Sequence, residues 1–245
     1  MNRWMTRICT AGLLAGLSLG LGSCAHNDDM LVILGAMSAQ PPDCTFESSA
    51  TAKLLLSGIV DVGFGVNFNP KYTAVLLVSN QLASRGSKNR LRAETSNITV
   101  NNAEVRLLAN GETEINYYSV PASGYIQVGS GEDSGYGAIA IDVLPGTVAI
   151  PTNAAFVIAE IRLQGTTLGG ADVESNLFRF EIFVVNSAAG SGLVYYPGLT
   201  ASGKCDCSGT TSTTATSCFA GQDAYVSCCS CLQKQFCVTP PANVP

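Results

Sequence analysis

Histidine occurs once in 245 residues, tryptophan once, and charged side chains make up only 13% of the chain. Each scarcity excludes something. The histidine is His26, within the polar stretch Ala25-His26-Asn27-Asp28-Asp29. A Ser-His-Asp or Cys-His machine needs its base inside a folded site, within hydrogen-bond reach of the nucleophile, so hydrolases of those types are not expected. Lys and Arg number 13 against 18 Asp and Glu, a formal net charge of −5. Clustered cations that would neutralise phosphates are therefore missing, and nucleic acid is not expected as a partner. The same deficit argues against electrostatic attachment to anionic lipid. Typical soluble domains carry about 25% charged residues. Gly, Ala, Ser, Thr and Asn take their place here, which predicts a neutral, hydroxyl-rich surface. Between about Leu54 and Tyr196 there is also no stretch of ten or more residues with a 3.6-residue apolar period, so helices are not expected there.

What is present begins at the N-terminus. Arg3 and Arg7 precede an apolar stretch from Ile8 to Leu21, and Leu21-Gly22-Ser23-Cys24 follows. Charge, apolar core and small-residue cleavage site in that order make an export signal, and the apolar stretch falls short of the roughly 20 residues that span a bilayer. Leu-Gly-Ser-Cys resembles the lipobox of bacterial lipoproteins. The resemblance implies that the Cys24 thiol is alkylated with diacylglycerol and that residues 1–23 are then removed; an ordinary secretory signal cut near Ala25 is the alternative. Two acyl chains already hold a protein stably, at about 0.8 kcal/mol per buried CH₂. Loss of Arg3 and Arg7 would bring the cations from 13 to 11 against 18 acids, and the net charge to −7.

Beyond Cys9 in the signal and Cys24 at the anchor, the cysteines are Cys44, Cys205, Cys207, Cys218, Cys228, Cys229, Cys231 and Cys237. An even set in an oxidising compartment reads as four disulfides, with 105 pairings open. Parity constrains one of them. Seven of the eight lie in the tail, so with all oxidised within one chain, Cys44 pairs with a tail cysteine, and the tail becomes part of the fold. Zinc fits less well. Structural sites space paired cysteines by two to four residues, Cys205-x-Cys207 is tighter than that, and Cys228 to Cys231 encloses a third cysteine. No βαβ pattern surrounds the latter spacing, as a redox pair would require. No cofactor is expected.

The pattern predicts an all-β antiparallel sandwich, immunoglobulin-like or alternatively a jelly roll, with a disulfide-rich C-terminal tail. Residues 1–23 are read as the signal, 24–50 as lipidated N-terminus and tether, 51–198 as the sandwich and 199–245 as the tail. Met30 to Met37 is a brief apolar run that suits an edge strand or a segment lying on the domain. Predicted strands are Leu54–Phe64, Tyr72–Leu82, Leu91–Val100, Ala103–Leu108, Ile115–Val120, Gly124–Val128, Tyr136–Leu144, Ala155–Leu163, Leu177–Val185 and Leu193–Tyr196, separated by Gly, Asn, Pro and Ser clusters. Val157, Ala159, Ile161 and Leu163 alternate with Glu160 and Arg162, and Phe178, Phe180, Ile182 and Val184 alternate with Arg179 and Glu181. Such one-sided alternation suits two sheets stacked on their dry faces.

Few residues suggest chemistry. The loop Gly129 to Gly135 contains Glu132 and Asp133, hard oxygen ligands of the kind calcium takes, but it lacks the D-x-[DN]-x-[DN]-G spacing and reads first as an ordinary exposed turn. Glu160, Glu181 and Asp142 are expected to face solvent and would be available to a polysaccharide hydrolase working with carboxylates alone, if two converged. Tyr117, Tyr118, Tyr125, Tyr136, Tyr195 and Tyr196 could line a binding face or simply fill a half-buried sheet.

Several phrases together resemble a family of uncharacterised predicted lipoproteins of myxobacteria and related bacteria. They are the lipobox at Cys24, Asn27-Asp28-Asp29 to Gly35, Ala74-Val75-Leu76-Leu77-Val78-Ser79-Asn80-Gln81-Leu82, Glu94-Thr95-Ser96-Asn97-Ile98, Ala103-Glu104-Val105-Arg106-Leu107, Val120-Pro121-Ala122-Ser123-Gly124, Leu168 to Asn176 and Cys218-Phe219-Ala220-Gly221-Gln222-Asp223. The resemblance implies a Gram-negative envelope and carries no activity with it. Ala25 after the anchor implies the outer membrane under the enteric sorting rule, with the leaflet open. The expected role is a non-catalytic binding or structural module, held to the membrane at Cys24, with an envelope protein or glycan as partner. The segments first expected to bind are the loops Gly129 to Gly135 and Ala83 to Asn89.

Overall fold

The computed structural model describes residues 30–40, 43–63, 70–86, 93–130, 134–186, 218–219 and 221–223, with the backbone of four short strands near the C-terminus. All regular structure among them is strand. In chain order these are β1 (Leu31–Met37), β2 (Leu54–Leu55), β3 (Gly58–Asp61), β4 (Tyr72–Asn80), β5 (Ile98–Ala109), β6 (Thr113–Ile126), β7 (Gly135–Leu144), β8 (Phe156–Thr167), β9 (Asp172–Glu174) and β10 (Phe178–Val185), then β11 (Val194–Tyr195), β12 (Val226–Ser227), β13 (Cys229–Cys231) and β14 (Lys234–Phe236). One sheet has the order β2-β1-β4-β7 and the other β3-β10-β8-β5-β6, with β9 paired to β8. The sandwich pairs antiparallel except for β3 beside β10, which is parallel.

Strand period explains the core. Val157, Ala159, Ile161 and Leu163 are fully buried, as are Ile139, Val143 and Ile182. With Leu31, Ile33, Leu76, Val78, Val105 and Leu107 they form one cluster between the two sheets. Strand β4 is buried on both faces. Ala74, Leu76 and Val78 point inward, while Val75 and Leu77 join Met37 in a second cluster under Phe46, Ala52, Tyr136 and Phe219.

Several boundaries differ from the sequence pattern, each for a physical reason. The expected strand Leu54–Phe64 is two strands in two sheets, because the chain crosses from one sheet to the other at Leu56 and Ser57. Ala103–Leu108 belongs to a longer strand that begins at Ile98. The register against β8 slips between Val100 and Asn102, and this bulge moves the buried set from Ile98 and Val100 to Ala103, Val105 and Leu107. Residues 93–97 are not strand. Ile115–Val120 and Gly124–Val128 also merge, because Pro121 lies on β6, at the edge of its sheet, where a missing N–H leaves no ladder bond unmade. Leu31–Met37 pairs with β4 on one side and is covered by β2 only at Ala36 and Met37 on the other, and its Leu31, Ile33 and Ala36 are buried, so the core includes residues ahead of position 51.

Candidate functional site

The register defines two ends of the sandwich. Leu31 pairs with Asn80 and Asn80 with Gly135, while Ile98 pairs with Ile126 and Thr167. The two sheets are joined at this end by buried Asn80. Its carboxamide donates to the carbonyls of Ser96 (2.9 Å) and Ile126 (3.3 Å) and accepts from Leu82 N–H at 3.0 Å.

Both expected binding loops gather at this end. Glu94 holds the first, accepting from Ser84 Oγ (2.6 Å), Arg85 N–H (3.0 Å), Gly86 N–H (2.8 Å) and Ser96 N–H (2.7 Å). The Ser84 hydroxyl, helped by those amides, holds its carboxyl well below the usual carboxylate range. The second loop is tied through Ser134 Oγ to Gln81 Oε1 (3.1 Å) and Val128 N–H to Asn97 Oδ1 (2.8 Å). The β8–β9 turn joins them, with Leu168 N–H on Asn97 O and Gly169 N–H on Thr95 O. Ser87, Lys88 and Asn89, and the carboxylates Glu132 and Asp133 on which a calcium site would depend, lie outside the described residues.

The opposite end carries the tail. Cys44 is bonded to Cys218, 174 positions away, so Cys44 does pair with a tail cysteine. On the chain-entropy model such a loop contributes about 5 kcal/mol. Phe219 then meets Phe46 at 6.2 Å over Met37, Val75 and Leu77. Beyond it Gly221 to Asp223 lies antiparallel along β3 through a single bridge, Gln222 to Val60, with Asp61 N–H donating to Gly221 O at 2.9 Å and Asp223 N–H to Ile59 O at 3.0 Å. The Gln222 carboxamide completes the join to the other sheet. Its Oε1 accepts from Thr73 N–H and its Nε2 donates to Thr73 O, both at 2.9 Å, so a side chain stands in for a neighbouring strand. Asp223 accepts from Ile59 N–H and Tyr72 Oη, each at 2.8 Å. Burial raises its carboxyl above the ordinary value against the pull of these donors, and burial together with the Asp223 charge raises the Tyr72 hydroxyl.

Asn176 plays the same part on β1, accepting from Ile33 N–H at 2.7 Å and donating to Ile33 O at 3.3 Å. Nothing in the local sequence around Asn80, Asn176 or Gln222 points to these roles. A buried carboxamide that mimics a peptide leaves no motif, and the one visible signal was Gln222 lying four residues after Cys218.

The three candidate carboxylates divide between the outer faces of the two sheets. Glu160 and Glu181 lie on the outer face of the β3-β10-β8-β5-β6 sheet. Asp142 lies on the outer face of the other, accepting from Thr73 Oγ1 at 2.7 Å. The core separates Asp142 from the two glutamates, so Asp142 shares no scissile bond with either, while Glu160 and Glu181 are diagonal neighbours on adjacent strands of one face. Glu160 also does not face solvent as expected. It is only 9% exposed, because Arg179 at 2.6 Å and Arg106 at 3.4 Å close over it. Of the tyrosines, Tyr117 and Tyr125 are exposed along β6. Tyr118 points the other way and donates to Val143 O, and Tyr136 packs near Leu77 and Val75.

Cys24, Cys205, Cys207, Cys228 and Cys237 lie outside the described residues, as do His26 and Tyr196, and of Cys229 and Cys231 only the backbone of β13 is described. Among the described residues no group of three or more His, Cys, Asp or Glu is placed to hold a metal ion, and no helix is long and apolar enough to cross a membrane. No family model, no curated protein and no solved structure matches this chain.

Proposed function

We propose that the chain is an exported cell-envelope lipoprotein, anchored by acylation of Cys24, whose sandwich is a non-catalytic binding or structural module. The Cys44–Cys218 bond carries this reading, because structural disulfides form and persist in oxidising compartments. An export signal ending in Leu-Gly-Ser-Cys leads to such a compartment, and Ala25 after the anchor favours the outer membrane. The polar groups described at both ends support a module over a catalyst. Glu94, Asn80, Gln222 and Asp223 are each occupied in holding loops, sheets or tail together.

The loop end is where the chain enters from the anchor, since Gln81 N–H donates to Met30 O at 2.9 Å. That placement suits a protein or glycan partner belonging to the same membrane. Cell fractionation tests the reading. Wild type is expected in the membrane fraction, released by detergent and acylated, and Cys24→Ser is expected in the soluble fraction. Wild type recovered soluble and without lipid would overturn it.

A further inference from the structure

Five leucines are exposed among the described residues, and four of them stand on or beside β1. Leu34 (42% exposed) lies on the strand itself, where the register against β4 slips between Ile33 and Gly35. Leu54 (43%) pairs opposite Met37, with its side chain over Gly35 so closely that a Cβ there would meet it at 3.0 Å. Leu56 (99%) follows on the same edge, and Leu177 (50%) follows Asn176, the residue bonded to Ile33. The fifth, Leu168, lies apart in the β8–β9 turn. A protein so rich in small polar residues has little reason to leave its wet leucines in one place, and clustered exposed apolar groups mark contact surfaces.

We propose that this strip rests against the lipid surface to which the chain is anchored, so that the sandwich lies along the membrane on its β1 edge. The proposal rests on acylation of Cys24. Leu31 follows Cys24 by seven positions, and seven steps of chain span at most about 25 Å. β1 itself runs for about 20 Å. The tether therefore keeps every residue of the strip within reach of the bilayer, which makes lipid the apolar surface it meets at the highest local concentration. An acyl anchor supplies attachment without orientation, and an apolar strip dipping into the headgroup boundary supplies the orientation.

Fluorescence tests this directly, because the sole tryptophan, Trp4, falls in the signal and the mature chain offers no background. The reporters are Leu56→Trp and, as an independent second position, Leu177→Trp, with Tyr117→Trp on the outer face of the other sheet as control. Each is purified with its lipid from membranes, checked by mass for the acyl chains, and reconstituted into phosphatidylcholine vesicles with and without brominated acyl chains. Loss of about half the emission or more in brominated vesicles is expected at positions 56 and 177, and little change at 117. Acylated protein with no quenching at either leucine position would overturn the docking while leaving the anchor in place. So would a blue shift at position 56 that appears in detergent and grows with protein concentration, since that would assign the strip to a second copy of the chain. Protein lacking acyl mass would overturn the anchor itself.

Discussion

The hydroxyl of Tyr72 donates a 2.8 Å hydrogen bond to the carboxylate of Asp223, 151 positions further along the chain. Tyr72 is buried in the four-stranded sheet, and the segment that holds Asp223 lies along β3 of the other. The tyrosine ring also fills the space that Gly58 leaves on β3, since a Cβ at Gly58 would lie 2.3 Å from the hydroxyl. Removing the hydroxyl alone leaves the ring in place and leaves Asp223 Oδ2 only the long bond from Gln222 Nε2, at 3.4 Å. Tyr72→Phe is expected to cost about 1–3 kcal/mol, measured by urea unfolding.

The Asp223 carboxyl is raised above the ordinary carboxylate value in the folded chain. The folded state thus holds that proton more tightly than the unfolded state does. The stability linked to it is fully present below the ordinary value and is lost as pH rises through the raised one. Asp223→Asn, which does not titrate, is therefore expected to gain on wild type as pH rises from about 4 to about 7. A difference in unfolding midpoint that stays constant across that range would contradict this.

Loss of the Cys44–Cys218 bond is expected to free the tail before the sandwich opens. Cys44→Ala with Cys218→Ala removes about 5 kcal/mol on the chain-entropy model. Hydrogen exchange should rise first at the amides of Ile59, Asp61 and Thr73, which donate to Asp223, Gly221 and Gln222. Val105 and Ala159, at the centre of the sheet, should remain protected. Equal protection of all five amides in the variant would mean that the tail holds without its disulfide.

Gln222→Ala leaves both the N–H and the C=O of Thr73 without a partner. Two orphaned backbone groups cost about 2–5 kcal/mol together. Gln222→Glu keeps the acceptor and loses the donor, and it adds a charge beside Asp223, so it should be no better tolerated. Unfolding midpoints of the two variants against wild type decide the matter.

Gly165 on β8 faces a different limit. A Cβ there would lie 2.4 Å from the carbonyl oxygen of Thr99, a backbone atom of the neighbouring strand. Gly165→Ala is expected to destabilise by about 1–3 kcal/mol, as overpacking does. Thermal unfolding would show it.

Alternation in Ala155–Leu163 and Leu177–Val185 was enough to read two stacked sheets, because a period of two admits only one buried face. Parity of the cysteines was enough to read that Cys44 joins the tail, although not which tail cysteine it meets. Patterns that depend on strand period failed where the period itself breaks, at the bulge between Val100 and Asn102 and at the sheet crossing after Leu55. The side-chain carboxamides of Asn80, Asn176 and Gln222 were illegible for another reason. Their partners are backbone groups up to 149 positions away, and no local spacing encodes such a contact.

Intact mass of the protein purified from its own membranes, without reductant and then after reduction, tests the account most directly. The expected mass is that of a chain beginning at an acylated Cys24, with a gain of about 8 Da on reduction for four disulfides among eight cysteines. A chain without lipid, or one whose tail cysteines are free thiols holding zinc, would contradict it.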